Sequence, residues 1–209
     1  VFSMDGDLAD INKLRFLSCK FNCLLYFDEA HAMGVFGGKG FGLASDAKKI
    51  DNEIIVGTFG KGFGSYGSFF SCSNLHIQNL IDSCSGLIYS TVLPPSILGA
   101  IYAAVKEVPK LSNLRNKLKK NSIFLLNELK KNNYDTGGST SHIIPLIFGN
   151  SRISEKLKKF LLENGFFVKE VKSPTVPIGS ERVRISLTAT IQKNVIKELI
   201  KTLKKFNKK

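Results

Sequence analysis

The sequence lacks several features that would place it in common classes of protein. Its 209 residues contain no run of 18 or more apolar residues, so nothing in it is typical of a membrane-spanning helix. Its four cysteines form no C-x-x-C pair, so the chain shows neither zinc spacing nor a disulfide framework, and we predict a reducing, cytoplasmic location. Cys19 and Cys23 lie four residues apart beside an apolar helical pattern, and we expect both to be small core residues.

Acidic residues are scarce relative to basic ones. The chain has 30 Lys and Arg against 17 Asp and Glu, a net charge of +13, and much of the excess lies in residues 106–131 and 193–209. Solvated faces of Lys-rich helices are the favoured interpretation. Attraction for an anion, such as a nucleotide phosphate, coenzyme A or nucleic acid, is the alternative. No zinc finger, RNP motif or Arg-rich arm is present, so we predict no nucleic-acid partner.

Strand-like and helix-like patterns alternate along the chain. Buried strands are predicted at residues 24–27, 54–57 and 68–72, with helices at 8–21, 77–84 and 96–105, which indicates an α/β fold with a mainly parallel sheet. A long basic amphipathic helix begins near Pro109, followed by strands at 143–148, 166–171 and 183–187 and helices at 151–164 and 192–206. We therefore predict two domains, residues 1–108 and residues 109–209. Val1 is not an initiator methionine, and we expect the N-terminal part of a longer protein to precede it.

Two motifs carry most of the chemical information. An apolar strand ends in Asp28-Glu29-Ala30-His31, and Lys61 is held between glycines shortly after the next predicted strand. Because ligands bind at the carboxyl ends of parallel strands, we expect these side chains to lie close together. An acid, a histidine and a flexibly held lysine suit pyridoxal phosphate (PLP). The lysine forms a Schiff base, the acid keeps the pyridine nitrogen protonated, and the histidine contacts the phenolic oxygen.

Each motif has an alternative interpretation. Asp-Glu-Ala-His after an apolar strand is also the acid box of helicase-type ATPases, in which Asp28 and Glu29 would hold Mg²⁺. A complete phosphate loop of the form G-x-x-x-x-G-K-[ST] is absent from the sequence. A catalytically inactive binding or assembly module is a third possibility. The two motifs together, in this order, favour the PLP site, for which we predict no metal.

The chain resembles the α-oxoamine synthases, which are fold-type-I PLP enzymes. The matching segments follow the family's order and are residues 2–7, 28–31, 58–67, 90–95 and 182–189. The resemblance covers essentially all 209 residues. It implies part of a mainly parallel large-domain sheet plus a smaller C-terminal α/β domain, and a homodimer. The family's N-terminal half, which supplies a histidine that stacks on the cofactor ring, is not in this sequence, so we expect the chain to expose sheet edge and apolar surface.

The resemblance also implies roles around the cofactor. Lys61 forms the internal aldimine and later acts as the base at the substrate Cα. Asp28 binds the pyridine nitrogen and His31 the phenolic oxygen. Thr58 lies at the phosphate and Ser3 lies beside the cofactor, while Thr91 reaches a cofactor phosphate across a dimer interface.

The implied reaction joins an amino acid to an acyl thioester with decarboxylation. Arg184 binds the amino-acid carboxylate, Arg182 is the competing arginine with a structural role favoured, and Thr175 lines the acyl channel. Residues 143–147 and 173–177 most resemble family members that condense L-alanine with a pimeloyl thioester on coenzyme A or acyl carrier protein. The alternative within the family is a ligase that uses glycine and an acetyl thioester.

Overall fold

The computed structural model describes residues 1–206 and divides the chain into two units. The lysine unit comprises Ala9–Arg115, and the arginine unit comprises Val1–Leu8 together with the chain from Asn116 onward. The last three residues of the predicted basic stretch 193–209 lie outside the described residues. No helix among the described residues is both long and apolar enough to cross a membrane.

The lysine unit contains a three-stranded sheet in the order β1-β2-β3. Its strands are β1 (Leu25–Asp28), β2 (Glu53–Thr58) and β3 (Ser68–Ser71), and its helices are α1 (Ile11–Phe21), α2 (Asn74–Ser83), α3 (Ser85–Ile88) and α4 (Pro95–Glu107). The three predicted strands are confirmed. β1 and β2 run parallel, whereas β3 runs antiparallel to β2, so one of the two pairings departs from the parallel arrangement.

Helix α1 is confirmed, but the side chains that it buries are not apolar. Asp10 caps its N-terminus by accepting a hydrogen bond from the backbone N–H of Lys13. The buried residues are Arg15 and Ser18. The expectation that Cys19 and Cys23 belong to the core is wrong, because both are exposed.

A buried ion pair explains the orientation of α1. Arg15 donates through Nε and Nη2 to the two carboxylate oxygens of Glu53, at 2.7 and 2.8 Å, and Glu53 on β2 is fully buried. Arg15 also lies 5.9 Å from the centre of the Phe27 ring. As expected, the lysine unit leaves several large apolar side chains exposed, among them Phe16, Tyr26 and Tyr89.

The arginine unit contains a second three-stranded sheet, in the order β4-β6-β5, with both pairings antiparallel. Its strands are β4 (Ile143–Ile147), β5 (Lys169–Val171) and β6 (Arg182–Ser186), and its helices are α6 (Ser151–Glu163), α7 (Lys193–Phe206) and, from Asn116 onward, α5 (Ser112–Lys131). Its core is fully buried and aliphatic, and includes Leu125, Ile143, Leu157, Val183 and Leu203. Gly165 after α6 has φ +84°, the left-handed conformation that glycine commonly adopts at the end of a helix.

The two units differ from the predicted domains at both boundaries. Residues 1–8 belong with the arginine unit because Gly6 packs against β4, where an added Cβ would lie 1.8 Å from the Ile143 carbonyl oxygen, and because Asp5 pairs with Arg182. Residues 109–115 belong with the lysine unit because Arg115 donates to the carbonyl oxygens of Val108 and Gly38.

Candidate functional site

The lysine unit brings Lys61 and His31 into direct contact. Nζ of Lys61 lies 3.0 Å from Nε2 of His31, a hydrogen-bond distance. Lys61 is exposed and His31 is half-buried, so a ligand can reach both from solvent. The two residues meet because the turn that follows β1 packs against the loop that follows β2.

Two glycines permit this packing of turn against loop. A Cβ added to Gly62 would lie 2.3 Å from the carbonyl oxygen of Met33, and one added to Gly34 would lie 2.8 Å from the carbonyl carbon of Gly62. Gly34 also has φ +81°, a backbone conformation that residues other than glycine rarely adopt. Met33 is nearly fully buried in a cluster with Phe63 and Val108. The core therefore fixes the backbone on which the Lys61 loop rests.

Asp28 lies at the carboxyl end of β1, beside the same end of β2. It is the partner of Val56 in the parallel β1–β2 register, so the ends of the two strands lie at one edge of the sheet. Its side chain is exposed, and Oδ1 accepts a hydrogen bond from the Ala30 backbone N–H at 2.9 Å. The sheet edge thus presents a carboxylate of fixed orientation three residues before His31.

Thr58 ends β2 and orders the loop that carries the lysine. Its hydroxyl donates to the Gly67 carbonyl oxygen at 3.1 Å and accepts from the Gly60 N–H at 3.1 Å. The Phe59 N–H donates to the same Gly67 carbonyl at 2.9 Å. These bonds close the base of the Lys61 loop, while the predicted role of Thr58 at a phosphate stays a prediction.

The structure does not bring the other two predicted cofactor residues into the same cluster within the lysine unit. Thr91 is exposed in the segment between α3 and α4, and its contact across a dimer interface stays a prediction. Ser3 belongs to the arginine unit, where its carbonyl oxygen accepts a hydrogen bond from Nη1 of Arg184 at 2.9 Å.

Glu29 has an environment unlike that of Asp28. Its side chain is buried, and Oε1 accepts the backbone N–H of Ala44 at 2.6 Å. A Cβ on Gly42 would lie 2.9 Å from its carboxyl carbon, so the chain wraps closely around it. The ATPase alternative requires Asp28 and Glu29 to share one Mg²⁺, whereas Glu29 is committed to holding the following loop. Across residues 1–206, no group of three or more His, Cys, Asp or Glu side chains is arranged to hold a metal ion.

The two arginines of β6 have different partners. Arg182 is buried, and it donates to the carbonyl oxygen of Ser180 at 2.8 Å and to the carboxylate of Asp5. Arg184 is half-buried, and its buried Nε has no hydrogen-bond partner among residues 1–206. Arg182 is therefore occupied inside the protein, whereas the Nε donor of Arg184 is not used by any of the described residues.

Arg184 and Thr175, the two predicted substrate residues, line one pocket of about 330 Å³ in the arginine unit. The backbone N–H of Thr175 donates to the Lys172 carbonyl at 3.0 Å, which fixes the turn that carries its hydroxyl. Lys169 and Lys172 also line the pocket, and neither was predicted from the sequence to be a site residue. The only feature of the sequence that could have identified these two lysines as pocket residues is that they lie close to the segment containing Thr175.

The model of the aminotransferase class I and II family matches residues 1–203, and the chain belongs to that family. A putative 8-amino-7-oxononanoate synthase of Desulfosudis oleivorans is 42% identical over 189 residues, which are 90% of this chain and 48% of the relative. The chain thus spans about half the length of the curated relatives that it matches.

Two solved structures show the same fold over the whole chain. The 8-amino-7-oxononanoate synthase of Francisella tularensis has a TM-score of 0.87 at 27% identity, covering 100% of this chain and 61% of the other. A serine palmitoyltransferase solved with PLP has a TM-score of 0.91 at 25% identity, covering 100% and 53%. The predicted fold class, an α/β protein of the fold-type-I PLP kind, is confirmed.

Proposed function

We propose that this chain carries part of the active site of a PLP-dependent acyltransferase, which condenses L-alanine with a pimeloyl thioester, with loss of CO₂, to 8-amino-7-oxononanoate. The observation that carries the proposal is the 3.0 Å contact between Lys61 and His31, beside the sheet edge where Asp28 ends β1. The curated relatives that support it carry the name of this synthase. We further propose a cytoplasmic homodimer in which Thr91 completes the partner's site.

The residues of the lysine unit fit PLP. The cofactor supplies an electron sink for the bond that breaks at the substrate Cα. Lys61 offers an exposed amine to hold its aldehyde carbon, and Asp28 offers an oriented carboxylate for a protonated ring nitrogen. His31 offers an imidazole nitrogen next to that amine for the ring oxygen. An added Cβ on Gly60 would make only ordinary van der Waals contacts, so the position directly before the lysine is not crowded.

Lys61, His31 and Arg184 then have distinct tasks in the reaction. The Lys61 amine would remove the proton from the substrate Cα and later return one to the same carbon. His31 Nε2 orients that amine through the hydrogen bond already present. Arg184 holds the amino-acid carboxylate until the group leaves as CO₂, because a guanidinium matches a carboxylate with two parallel donors.

A second acyltransferase activity is an alternative, because a serine palmitoyltransferase has the higher TM-score of the two structures described above. The sequence identity to the curated 8-amino-7-oxononanoate synthase, 42%, exceeds the 25% to that structure. We therefore place L-alanine ahead of serine as the amino acid. Coenzyme A and acyl carrier protein are both retained as carriers of the pimeloyl group.

The experiment titrates the PLP-treated chain with L-alanine, glycine and L-serine while the visible absorbance is recorded. We expect L-alanine to change the spectrum at the lowest concentration. Arg184→Met should raise the required concentration about tenfold or more, because a charge-assisted hydrogen bond is lost. Arg152→Met, which changes an exposed arginine on α6, serves as the control and should leave it unchanged. A spectrum that responds to no amino acid, or to glycine or serine first, contradicts the proposal.

A further inference from the structure

The pocket beside Arg184 carries more positive charge than one carboxylate requires. Lys169 is the cross-strand partner of Arg184 in the β5–β6 pairing, so both side chains lie on the same face of the sheet. Lys172 follows β5 directly and lines the same pocket. Three cationic side chains therefore surround one cavity within the arginine unit.

The one acidic residue at the pocket does not neutralise this charge. Glu170 lies between Lys169 and Val171 and is the partner of buried Val183, so its side chain projects to the opposite face of the sheet. There its Oε2 lies 3.9 Å from Nζ of Lys158 on α6. On the face of Arg184, the carboxylate of Asp5 is paired with Arg182, whereas Arg184 and Lys169 have no acidic partner among residues 1–206.

Like charges on facing positions of two strands destabilise a sheet unless an anion lies between or beside them. In the proposed reaction, the amino-acid carboxylate satisfies Arg184. Lys169 and Lys172 then remain for a second anionic group, and the bound acyl donor is the other reactant that can supply one. The volume of about 330 Å³ lies at the low end of ligand pockets, about 300–1,000 Å³, which suits a short acyl chain.

We propose that Lys169 binds the terminal carboxylate of the acyl chain, which makes it a specificity-determining residue for dicarboxylic acyl thioesters. Ser173 and Thr175 line the same pocket, and we expect their hydroxyls to be additional polar partners for that carboxylate. This inference rests on the proposed function, because it takes the Arg184 pocket to receive both substrates.

The test compares two thioesters of N-acetylcysteamine, pimeloyl and heptanoyl, which have equal chain length and lack the phosphates of coenzyme A. Their dissociation constants for the 209-residue chain are measured by titration calorimetry at low ionic strength, where screening is weak. We expect the pimeloyl thioester to bind about fivefold more tightly, as for a partly exposed ion pair. Lys169→Met should bring that ratio close to one, and Lys169→Arg should preserve most of it.

Lys197→Met is the matched control, because Lys197 is an exposed lysine on α7 and is not part of the pocket lining. A ratio near one in the unchanged chain overturns the proposal. A ratio that is unchanged in Lys169→Met also overturns it, as does a ratio that falls equally in Lys197→Met. The absence of pimeloyl thioester binding at millimolar concentration overturns it as well. With coenzyme A thioesters, equal weakening of both acyl groups by Lys169→Met would show that Lys169 binds a phosphate, which also overturns it.

The thioester test and the test of the proposed function can fail independently of each other. Attachment of PLP is measured at Lys61, a residue of the lysine unit, in the 209-residue chain and without any thioester. A chain that attaches PLP but does not distinguish the two thioesters retains the proposed function and loses this inference. A chain that distinguishes them but attaches no PLP gives the opposite result.

Discussion

Replacing Gly62 with alanine tests how the fold positions Lys61. The new Cβ would lie 2.3 Å from the Met33 carbonyl oxygen and 3.1 Å from Cα of Gly34, both of them backbone atoms. Ordinary contact begins near 3.4 Å, so the loop and the turn must separate by about 1 Å. Gly62 does not have a left-handed φ, so the effect is steric contact and not backbone strain.

The consequence for the site follows from the same distances. A separation of about 1 Å lengthens the Lys61 Nζ to His31 Nε2 distance from 3.0 Å to about 4 Å, beyond hydrogen-bond range. A misplacement of about 1 Å at a reacting group costs on the order of 100-fold in rate. We therefore expect PLP to attach to Lys61 about 100-fold more slowly in Gly62→Ala. The free energy of unfolding should fall by about 1–3 kcal/mol, as in other overpacked sites.

The assay measures attachment over time. Samples treated with PLP are quenched with borohydride, and mass spectrometry gives the fraction of the Lys61 peptide that is modified. Gly60→Ala is the matched control, because its Cβ would lie 3.5 Å from Oγ1 of Thr58 and 3.9 Å from the Ser65 carbonyl oxygen, which are ordinary contacts. Equal attachment rates in Gly62→Ala and Gly60→Ala would show that the contact between Gly62 and Met33 does not position Lys61.

Two further predictions concern stability. Glu53→Gln leaves the Arg15 charge buried without a counter-charge, and we expect a loss of about 3–5 kcal/mol in urea unfolding; a loss under 1 kcal/mol would contradict the importance of this pair. Burial raises the pKa of Tyr134 to about 12, and its hydroxyl donates to the Leu203 carbonyl oxygen at 2.9 Å. Because the pKa is raised on folding, stability is complete below about pH 10 and falls as the pH rises towards 12. Tyr134→Phe should lack this alkaline loss, and equal losses in both proteins would exclude the assignment.

The parts of the site that the sequence predicted are those set by strand ends. The apolar run that ends in Asp28 and is followed by His31 is a local pattern, so it can be recognised without knowing any distant contact. The parallel pairing of β1 with β2 then places the Lys61 loop at the same edge of the sheet. The preference for Arg184 over Arg182 came from the family resemblance. The sequence alone could not show that the two arginines have different partners, because Asp5, which pairs with Arg182, lies 177 residues away from it in the sequence.

The errors share a dependence on distant partners. The apolar period of α1 predicted the helix correctly, but its buried face is set by Glu53, which lies 38 residues from Arg15. Strand β5 is shorter than the predicted residues 166–171, because the Phe166 N–H bonds back to Leu161 at the end of α6. Lys169 was not selected because its position opposite Arg184 is a property of cross-strand register, which one strand's sequence does not contain.

The most direct test of the account is the site of PLP attachment in the 209-residue chain. The protein is treated with PLP and borohydride, digested, and mapped by mass spectrometry, together with Lys61→Ala and Lys39→Ala. Lys39 is the matched control because it is also an exposed lysine between two glycines. We expect one dominant adduct on Lys61, which is lost in Lys61→Ala and unchanged in Lys39→Ala. Adducts spread over the exposed lysines, or a yield that Lys61→Ala does not change, would contradict it.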